Sequence, residues 1–412
     1  MATNNMSTEV SNGSLASKSP AVITDVTASS RPDSLHSESS FHSTSAEISH
    51  QDTPASSTDA SKVSSANAKQ PREDFRLPTS GPLKTPIPYP LPESKIPTQK
   101  PLTSEQQSKY ATVLSEVSKW TTLPTSTAKK APLEPFNDTE RMWLTQECLL
   151  RYLRATKWNV PSALTRLQST LVWRREYGAD TFTFEYISPE NETGKQCILG
   201  YDNDARPCLY LSPGKQNTEM SDRQIHHLCF MLDRTIDMLP PGQENACLII
   251  NFTSTGGGKI PTVGQARAVL NILQNHNPER LGRALISETP WYVNTFFKLI
   301  SPFIDPVTRE KMKFNEDLKL WVPKGNLWKH AKGGELNFEY EHPVYWAALE
   351  KQVKEKREAF RQRWVEGGSR IGEYEEYLRG GNKLSLGQEA AQTGAGAEQD
   401  LATGVNGLKV EA

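Results

Sequence analysis

The chain of 412 residues has few cysteines and no apolar run long enough to cross a membrane. Its five cysteines are dispersed, odd in number and lack a Cys-x-x-Cys spacing, which argues against a disulfide framework and a zinc site. No segment has the length and apolarity of a transmembrane helix, and the first ten residues lack the apolar region of a signal peptide. We therefore expect a cytoplasmic protein that touches membranes peripherally and needs no metal or cofactor.

An excess of charge of either sign is also absent, since 47 Lys and Arg residues oppose 48 Asp and Glu residues and leave a net charge of −1. A domain that binds nucleic acid is typically basic. We therefore expect no nucleic-acid partner, although this balance leaves room for a local cationic patch.

Both ends of the chain are poor in residues that build a core. Residues 1–104 are rich in Ser, Thr and Pro, and residues 380–412 are rich in Gly, Ala and Gln. Such segments bury too little apolar surface to offset the entropy of ordering, so we predict that both are disordered. The proline-dense residues 82–101 favour an extended linker over the alternative, a Pro-x-x-Pro ligand for an aromatic groove.

The middle of the chain carries two kinds of periodicity. Residues 105–178 repeat apolar side chains at helical spacing and end at Gly178, a residue suited to a helix C-cap, which predicts a small all-helical subdomain. Residues 185–345 alternate between strands and helices, and residues 246–250 form the continuous apolar run of a buried parallel strand. We further predict a short strand at residues 318–323 and C-terminal helices within residues 346–379. The predicted fold class is α/β.

One stretch, residues 291–311, combines an apolar helix with a polar turn. Its apolar side chains fall on one helical face and continue just beyond it: Val293, Phe296, Phe297, Ile300 and Phe303. Pro302 predicts a break. Asp305 and Pro306 suit the N-cap and first position of a new helix, which places Thr308 and Lys311 on one side of that helix. An apolar wall beside a hydroxyl and an ammonium group suits a phospholipid.

Three other patterns are weaker candidates for chemistry. Residues 253–262 contain three glycines after a strand, but a phosphate-binding loop needs Gly at Thr253 and Ser or Thr at Ile260, so a simple turn is favoured. His226 and His227 are adjacent on a helix and point about 100° apart, which favours surface or capping roles over metal binding. There is no Gly-x-Ser-x-Gly nucleophile motif, and we expect no catalytic residue and no enzyme activity.

The order of several motifs resembles the CRAL-TRIO family with its N-terminal helical extension. These motifs occupy residues 149–178, 203–207 (NDARP), 277–282 (NPERLG), 303–311 (FIDPVTREK) and 332–335 (KGGE). Within the family the chain looks most like the fungal phosphatidylinositol-transfer proteins, and among those the sterol-binding subgroup linked to azole resistance. The resemblance implies a monomeric lipid carrier in which a sheet floor, helical walls and a mobile gate helix enclose one lipid cavity.

The resemblance also implies which residues hold phosphatidylinositol. The family's Glu of Pro-Glu-Arg and its Thr and Lys of Asp-Pro-Val-Thr-x-x-Lys correspond to Glu279, Thr308 and Lys311. A family arginine in Arg-Ala-Arg-Lys is replaced here by Thr156, and we expect Arg154 or Lys157 to take its place. In such a site the carboxylate accepts hydrogen bonds from inositol hydroxyls, and the cations pair with the phosphate. The implied gate spans residues 291–303 and includes Phe296, Phe297, Ile300 and Phe303.

The implied cavity differs from that of the best-known family member, which also binds phosphatidylcholine. Four polar residues used there correspond to apolar ones in this chain: Ile198, Leu209, Ala246 and Leu248. Ile250 continues the same strand. Because each unpaired polar group costs about 1–3 kcal/mol, phosphatidylcholine should bind poorly, and a sterol fits better as the second ligand.

We therefore expect a carrier that exchanges phosphatidylinositol, and a sterol, between membranes such as the endoplasmic reticulum, a lipid droplet or the cell periphery. The alternative is a regulator that presents phosphatidylinositol to a kinase. A hydrolase built on an α/β scaffold is the least favoured of the three.

Overall fold

Helices dominate the first part of the chain that the structure describes. The structure is a computed structural model that describes residues 75–219, 221–253 and 263–392. Up to residue 191 its elements are α1 (Ser104–Ser118), β1 (Thr122–Pro124), β2 (Leu133–Pro135), α2 (Asp138–Trp143), α3 (Gln146–Ala155), α4 (Val160–Tyr177) and α5 (Phe184–Asn191). The predicted end of α4 is confirmed, because Gly178 is its C-cap at φ 70°, a left-handed conformation that glycine adopts without strain.

A mixed five-stranded sheet follows. Its strands are β3 (Gln196–Tyr201), β4 (Pro207–Leu211), β5 (Ala246–Asn251), β6 (Leu281–Ser287) and β7 (Met312–Phe314), in that spatial order. The β3–β4 pair is antiparallel, and the other neighbours are parallel. This confirms the buried parallel strand predicted at residues 246–250.

Helices connect the parallel strands. They are α6 (Asp222–Asp237), α7 (Val263–Asn271) with a π-helical turn (Ile272–His276), α8 (Trp291–Ile300) with a 3₁₀ turn (Ser301–Phe303), and α9 (Pro306–Glu310). Because β4 to β7 lie in sequence order, right-handed crossovers place these helices on one face of the sheet. Tyr201 supports this, since its hydroxyl donates to the carbonyl of Met238 at the end of α6 (3.1 Å). Residues 318–338 cover the opposite face, where the Trp328 amide donates to the Tyr210 hydroxyl (3.2 Å).

Two further helices follow, α10 (His342–Glu366) and α11 (Glu375–Leu378). The long α10 contacts the edge strand β3: the Tyr345 hydroxyl donates to the carbonyl of Ile198 and accepts from its amide. No helix of the described ranges has both the length and the apolar character that spanning a bilayer requires.

The predicted strand at residues 318–323 is wrong. The structure has a 3₁₀ turn there (Leu318–Leu320), and the fifth strand lies earlier, at Met312–Phe314. Leu318 and Val322 are buried, whereas Leu320 between them is 65% exposed; a strand would place all three side chains on one face. Asp317 caps the turn by accepting from the Lys319 amide.

The predicted disorder is wrong for residues 75–104 and 380–392. Leu83 and Ile87 are buried in the main core, and Leu83 exchanges backbone hydrogen bonds with residues 337 and 339. At the other end residues 386–392 are helical, and the Tyr374 hydroxyl donates to Glu389 (2.7 Å). A few buried apolar residues or hydrogen bonds are enough to order these two segments, because both pack on a core that the rest of the chain forms.

Candidate functional site

One face of the sheet carries all five apolar residues that the sequence assigns to a cavity. Ile198, Leu209 and Leu248 are direct partners on three adjacent strands, so their side chains form one row across the sheet. Ala246 and Ile250 lie two residues either side of Leu248 and share its face. Leu248 and Ile250 are half-buried while the other three are buried. The same face is covered by the crossover helices.

The helix α8 closes over one end of this face. The Phe297 ring makes edge-to-face contacts with Phe252, which follows β5, and with Phe314 of β7 (centroids 6.4 and 5.1 Å). Ile300 is buried and belongs to a small apolar cluster with Ala266 and Ile304, against which Phe296 also packs. Phe296, Phe297 and Ile300 therefore face inward in this conformation.

The outer surface of this region carries other apolar side chains. Trp291 is 79% exposed, Leu299 59%, Val307 60% and Phe303 40%. Among the predicted gate residues, Phe303 is thus the one on the outside, where the Arg267 guanidinium lies 3.9 Å from its ring centroid. Within α8 itself, Trp291 and Leu299 are exposed beside the polar Asn294, Thr295 and Lys298, so the outward side of the helix is amphipathic.

A local break follows α8, as predicted. The chain passes through the 3₁₀ turn that contains Pro302 and restarts at Asp305, which caps α9 by accepting from the Thr308 amide (2.8 Å). Pro306 occupies the first turn of α9. Because proline fixes φ and lacks the amide donor, the helix axis is interrupted here without loss of a regular hydrogen bond.

A charged cluster lies where the helical subdomain meets the sheet. Arg154 of α3 donates through Nε to Glu279 (2.5 Å) and through Nη2 to Glu244 (2.9 Å). Glu279 has φ 59°, an uncommon conformation for a residue other than glycine, and its carbonyl accepts from Asn245 (2.6 Å). The structure thus brings Arg154 and Glu279 together, as the sequence led us to expect.

Lys311 lies close to this pair. Its ammonium group donates to the carbonyl of Leu281 (2.6 Å) and is half-buried. Burial lowers the pKa of Lys311, whereas the neighbouring carboxylate of Glu279 opposes that shift. Because Glu279 offsets only part of the cost of burying this charge, a further negative group nearby would stabilise the ammonium. A phosphate site is expected to have this property.

The other predicted headgroup residues, Thr308 and Lys157, differ in their exposure and position. Thr308 is half-buried in α9, one helical turn before Lys311. Lys157 is exposed and lies beyond the end of α3 at φ 52°, so Arg154 rather than Lys157 reaches Glu279. Thr156, which stands where the family has an arginine, donates its hydroxyl to the carbonyl of Tyr152 (2.8 Å).

Residues in and near the NDARP and NPERLG motifs form ion pairs and close packing beside this charged cluster. The buried Asp202 carboxylate accepts from Arg206 (3.1 Å) and Arg283 (3.2 Å), and burial raises the pKa of Asp202. Gly282 is required by packing, since a Cβ there would collide with the Arg206 side chain and lie 2.9 Å from the Cβ of Asn245.

The sequence did not indicate one member of the cluster, Glu244. It is nearly buried and is shared between Arg154 and Arg151 of α3. Its one sequence signal is its position just before the buried strand β5. Of the weaker candidates, His226 contacts the Tyr186 hydroxyl (3.0 Å) and His227 is buried, while residues 254–262 of the glycine-rich segment lie outside the described residues.

Several known proteins are similar to this chain. The CRAL/TRIO domain model matches residues 191–333, and the CRAL/TRIO, N-terminal domain model matches residues 109–169. A CRAL-TRIO domain-containing protein of Schizosaccharomyces pombe is 48% identical over 341 residues, which cover 82% of this chain but 33% of that protein. The phosphatidylinositol transfer protein PDR17 of Saccharomyces cerevisiae is 36% identical over 301 residues, covering 69% of this chain and 86% of the relative. The crystal structure of Sfh5 superposes with a TM-score of 0.42 and 16% identity, covering 62% of this chain and 100% of that one.

Proposed function

The chain belongs to the CRAL-TRIO family, and on that basis we propose that it is a carrier that binds phosphatidylinositol and exchanges it between membranes. We further propose that its second ligand is a sterol rather than phosphatidylcholine. It would act as a monomer in the cytoplasm, with transient contact to a membrane surface, and without catalysis.

The observation that carries the first proposal is the cluster of Arg154, Glu279 and Lys311. These residues come from separate parts of the chain and supply the two chemistries that an inositol phosphate needs. The carboxylate is a hydrogen-bond acceptor for ring hydroxyls, and the two cations are partners for the phosphodiester. The relative that this chain covers over 86% of its length is itself named as a phosphatidylinositol transfer protein.

The helix α8 supports transfer rather than storage. A diacyl lipid that crosses water alone faces a barrier of tens of kcal/mol, because each CH₂ group exposed costs about 0.8 kcal/mol. An apolar cavity closed by α8 removes most of that barrier. The exposed Trp291, Leu299 and Phe303 are suited to enter the membrane interface, and the interruption at Pro302 provides a hinge. On opening, Phe296 and Phe297 would also reach the bilayer.

The floor of the cavity supports a sterol as the second ligand. Ile198, Leu209, Ala246 and Leu248 offer no side-chain hydrogen bond to a choline phosphate, so burying that headgroup against them would leave its polar atoms unpaired. A rigid, almost wholly apolar molecule pays no such cost.

Mass spectrometry of lipids extracted from the purified protein tests both proposals. We expect phosphatidylinositol and a sterol to be enriched over their share of the host membranes, with phosphatidylcholine depleted. Phosphatidylcholine as the main bound species would refute the interpretation of the cavity floor. Absence of phosphatidylinositol from both the extract and a vesicle transfer assay would refute the carrier proposal.

A further inference from the structure

A second concave site lies away from the sheet face and has no part in the proposed carriage of lipid. It is a cavity of about 430 Å³ bounded by α3, α6, α10, α11 and the extended residues 88–90. Small-molecule sites typically have volumes of about 300–1,000 Å³. None of the five residues of the proposed lipid floor is among those that line this cavity.

The walls of this cavity are rich in guanidinium groups. Eight of the lining side chains are cationic and five are carboxylates, an excess of three positive charges. Seven of the eight cations are arginines, and they come from several elements of both subdomains. On an ordinary solvated surface, charges of both signs are dispersed. Here arginines from separate elements line the same cavity.

The carboxylates are shared unevenly among these arginines: Arg174 pairs with both Asp180 and Asp233, and Arg234 pairs with Asp237. The buried Glu375 alone is shared by Arg151 (2.9 Å), Arg280 (3.4 Å) and Arg379 (3.5 Å). Burial disfavours its charge, but the three guanidinium groups hold the pKa of Glu375 well below its usual range. The single carboxylate of Glu375 therefore pairs with three guanidinium groups, and Glu244 pairs with one of them, Arg151.

The helix α10, which packs beside α11, contributes two further cations. Arg357 and Arg363 of α10 are half-buried and line the cavity. Within the ranges that the structure describes, neither lies within 4 Å of a carboxylate oxygen, although Arg363 donates to the carbonyl of Leu378 (3.3 Å). Each guanidinium group presents a planar fork of donors that matches two phosphate oxygens.

The rest of the lining combines apolar and aromatic side chains with the polar Thr139, Thr145, Asn277 and Gln352. Trp143, Met238 and Phe360 contribute to it, beside the extended residues 88–90. A ligand that fits therefore needs a strongly anionic group and a compact body that tolerates apolar contacts. An inorganic ion would leave most of the volume unfilled.

We propose that this cavity binds a small molecule carrying a phosphomonoester, held by Arg357 and Arg363 of α10 together with the arginines around Glu375. The same chemistry is offered by a soluble sugar phosphate and by the headgroup of a phosphorylated inositol lipid. The site is separate from the cluster of Glu279 and Lys311, to which it is joined through Arg151 and Glu244.

Isothermal titration calorimetry of the full chain tests this with two probes, inositol 1,4-bisphosphate and the water-soluble dibutanoyl phosphatidylinositol 4-phosphate. Arg357→Gln removes the charge and the guanidinium fork but keeps a polar side chain, and should weaken binding about tenfold or more, since a hydrogen bond to a charged group is lost. The matched control is Arg361→Gln, an exposed arginine on the same helix that does not line the cavity. Unchanged thermal unfolding of both variants shows that the fold is retained.

Tighter binding of the soluble probe than of the lipid probe identifies a free phosphate ligand, and tighter binding of the lipid probe identifies a lipid headgroup. Either supports the proposal if Arg357→Gln weakens binding and Arg361→Gln does not. Failure of both probes to bind overturns it. Equal effects of the two arginine variants, or loss of binding in Lys311→Ala instead, also overturn it, because the probe then occupies the surface or the Glu279 cluster. These outcomes do not depend on whether the chain transfers phosphatidylinositol.

Discussion

Replacing Lys311 by alanine should separate the two proposed ligands. The ammonium group of Lys311 is half-buried, 2.6 Å from the carbonyl of Leu281, and close to Glu279. A hydrogen bond between an ammonium and a phosphate is worth about 1.5–3 kcal/mol, so its loss should weaken phosphatidylinositol binding by about 10- to 150-fold. A sterol has no phosphate, and its binding should change less than about twofold.

The substitution also removes the bond to Leu281, so fold and function must be measured separately. We expect the free energy of unfolding to fall by about 1 kcal/mol, which leaves the protein folded at 25 °C. The matched control is Lys313→Ala, because Lys313 lies two residues further on, in β7, with its ammonium 5.9 Å from the ring centroid of Trp321.

The assay is transfer of labelled phosphatidylinositol and of labelled sterol between vesicles. Lys311→Ala should lose phosphatidylinositol transfer and keep sterol transfer, while Lys313→Ala keeps both. If Lys311→Ala loses both activities equally while its unfolding free energy is nearly unchanged, the two ligands do not use separate groups and the reasoning is refuted.

Three further results are expected. Gly282→Ala should lower the free energy of unfolding by about 1–3 kcal/mol in chemical denaturation because its Cβ collides with an arginine side chain, whereas Gly325→Ala, with open space around it, should change little. Trp291→Ser should reduce sedimentation with vesicles several-fold, and Val365→Ser, exposed on α10, should not. Burial and the neighbouring Glu375 raise the pKa of Glu147 to about 7, so its stabilising contribution is lost as the pH rises from about 4.5 through 7. Glu147→Gln should therefore match the wild type in stability at pH 4.5 and exceed it by about 1–3 kcal/mol at pH 8.

Features that depend on near neighbours in the sequence were predicted well. The cap at Gly178 and the restart at Asp305 and Pro306 each rest on the chemistry of a few consecutive residues. The strand at residues 246–250 was evident from its apolar run, since a strand covered on both faces needs apolar side chains throughout. These signals can be read from a single sequence because they depend on consecutive residues, and in this protein the tertiary contacts favour the same local structure.

Features that depend on distant partners were not predicted. Residues 318–323 have apolar content suited to a strand, but they form a 3₁₀ turn whose buried Leu318 and Val322 pack into the main core instead of pairing with the edge strand β7. Leu83 and Ile87 lie in a proline-rich segment whose composition indicates disorder, and they are buried because a groove elsewhere accepts them. Glu244 is ninety residues from Arg154, so no spacing rule links the two.

The two carboxylates that hold Arg154 would affect how a phosphatidylinositol headgroup binds in the proposed site. Buried ion pairs contribute little net stability, because desolvation of both charges offsets most of their attraction. Arg154 is nevertheless held by two carboxylates, Glu244 and Glu279. A headgroup whose hydroxyls occupy Glu279 weakens its hold on Arg154 and frees that guanidinium group for the phosphate, while Glu244 keeps Arg154 from leaving the site. On this argument Glu244 positions the cation in both states, so Glu244→Gln should impair phosphatidylinositol transfer although it touches no lipid. A full rate of transfer in that variant, with sterol transfer as the internal control, would show that Arg154 needs no second anchor.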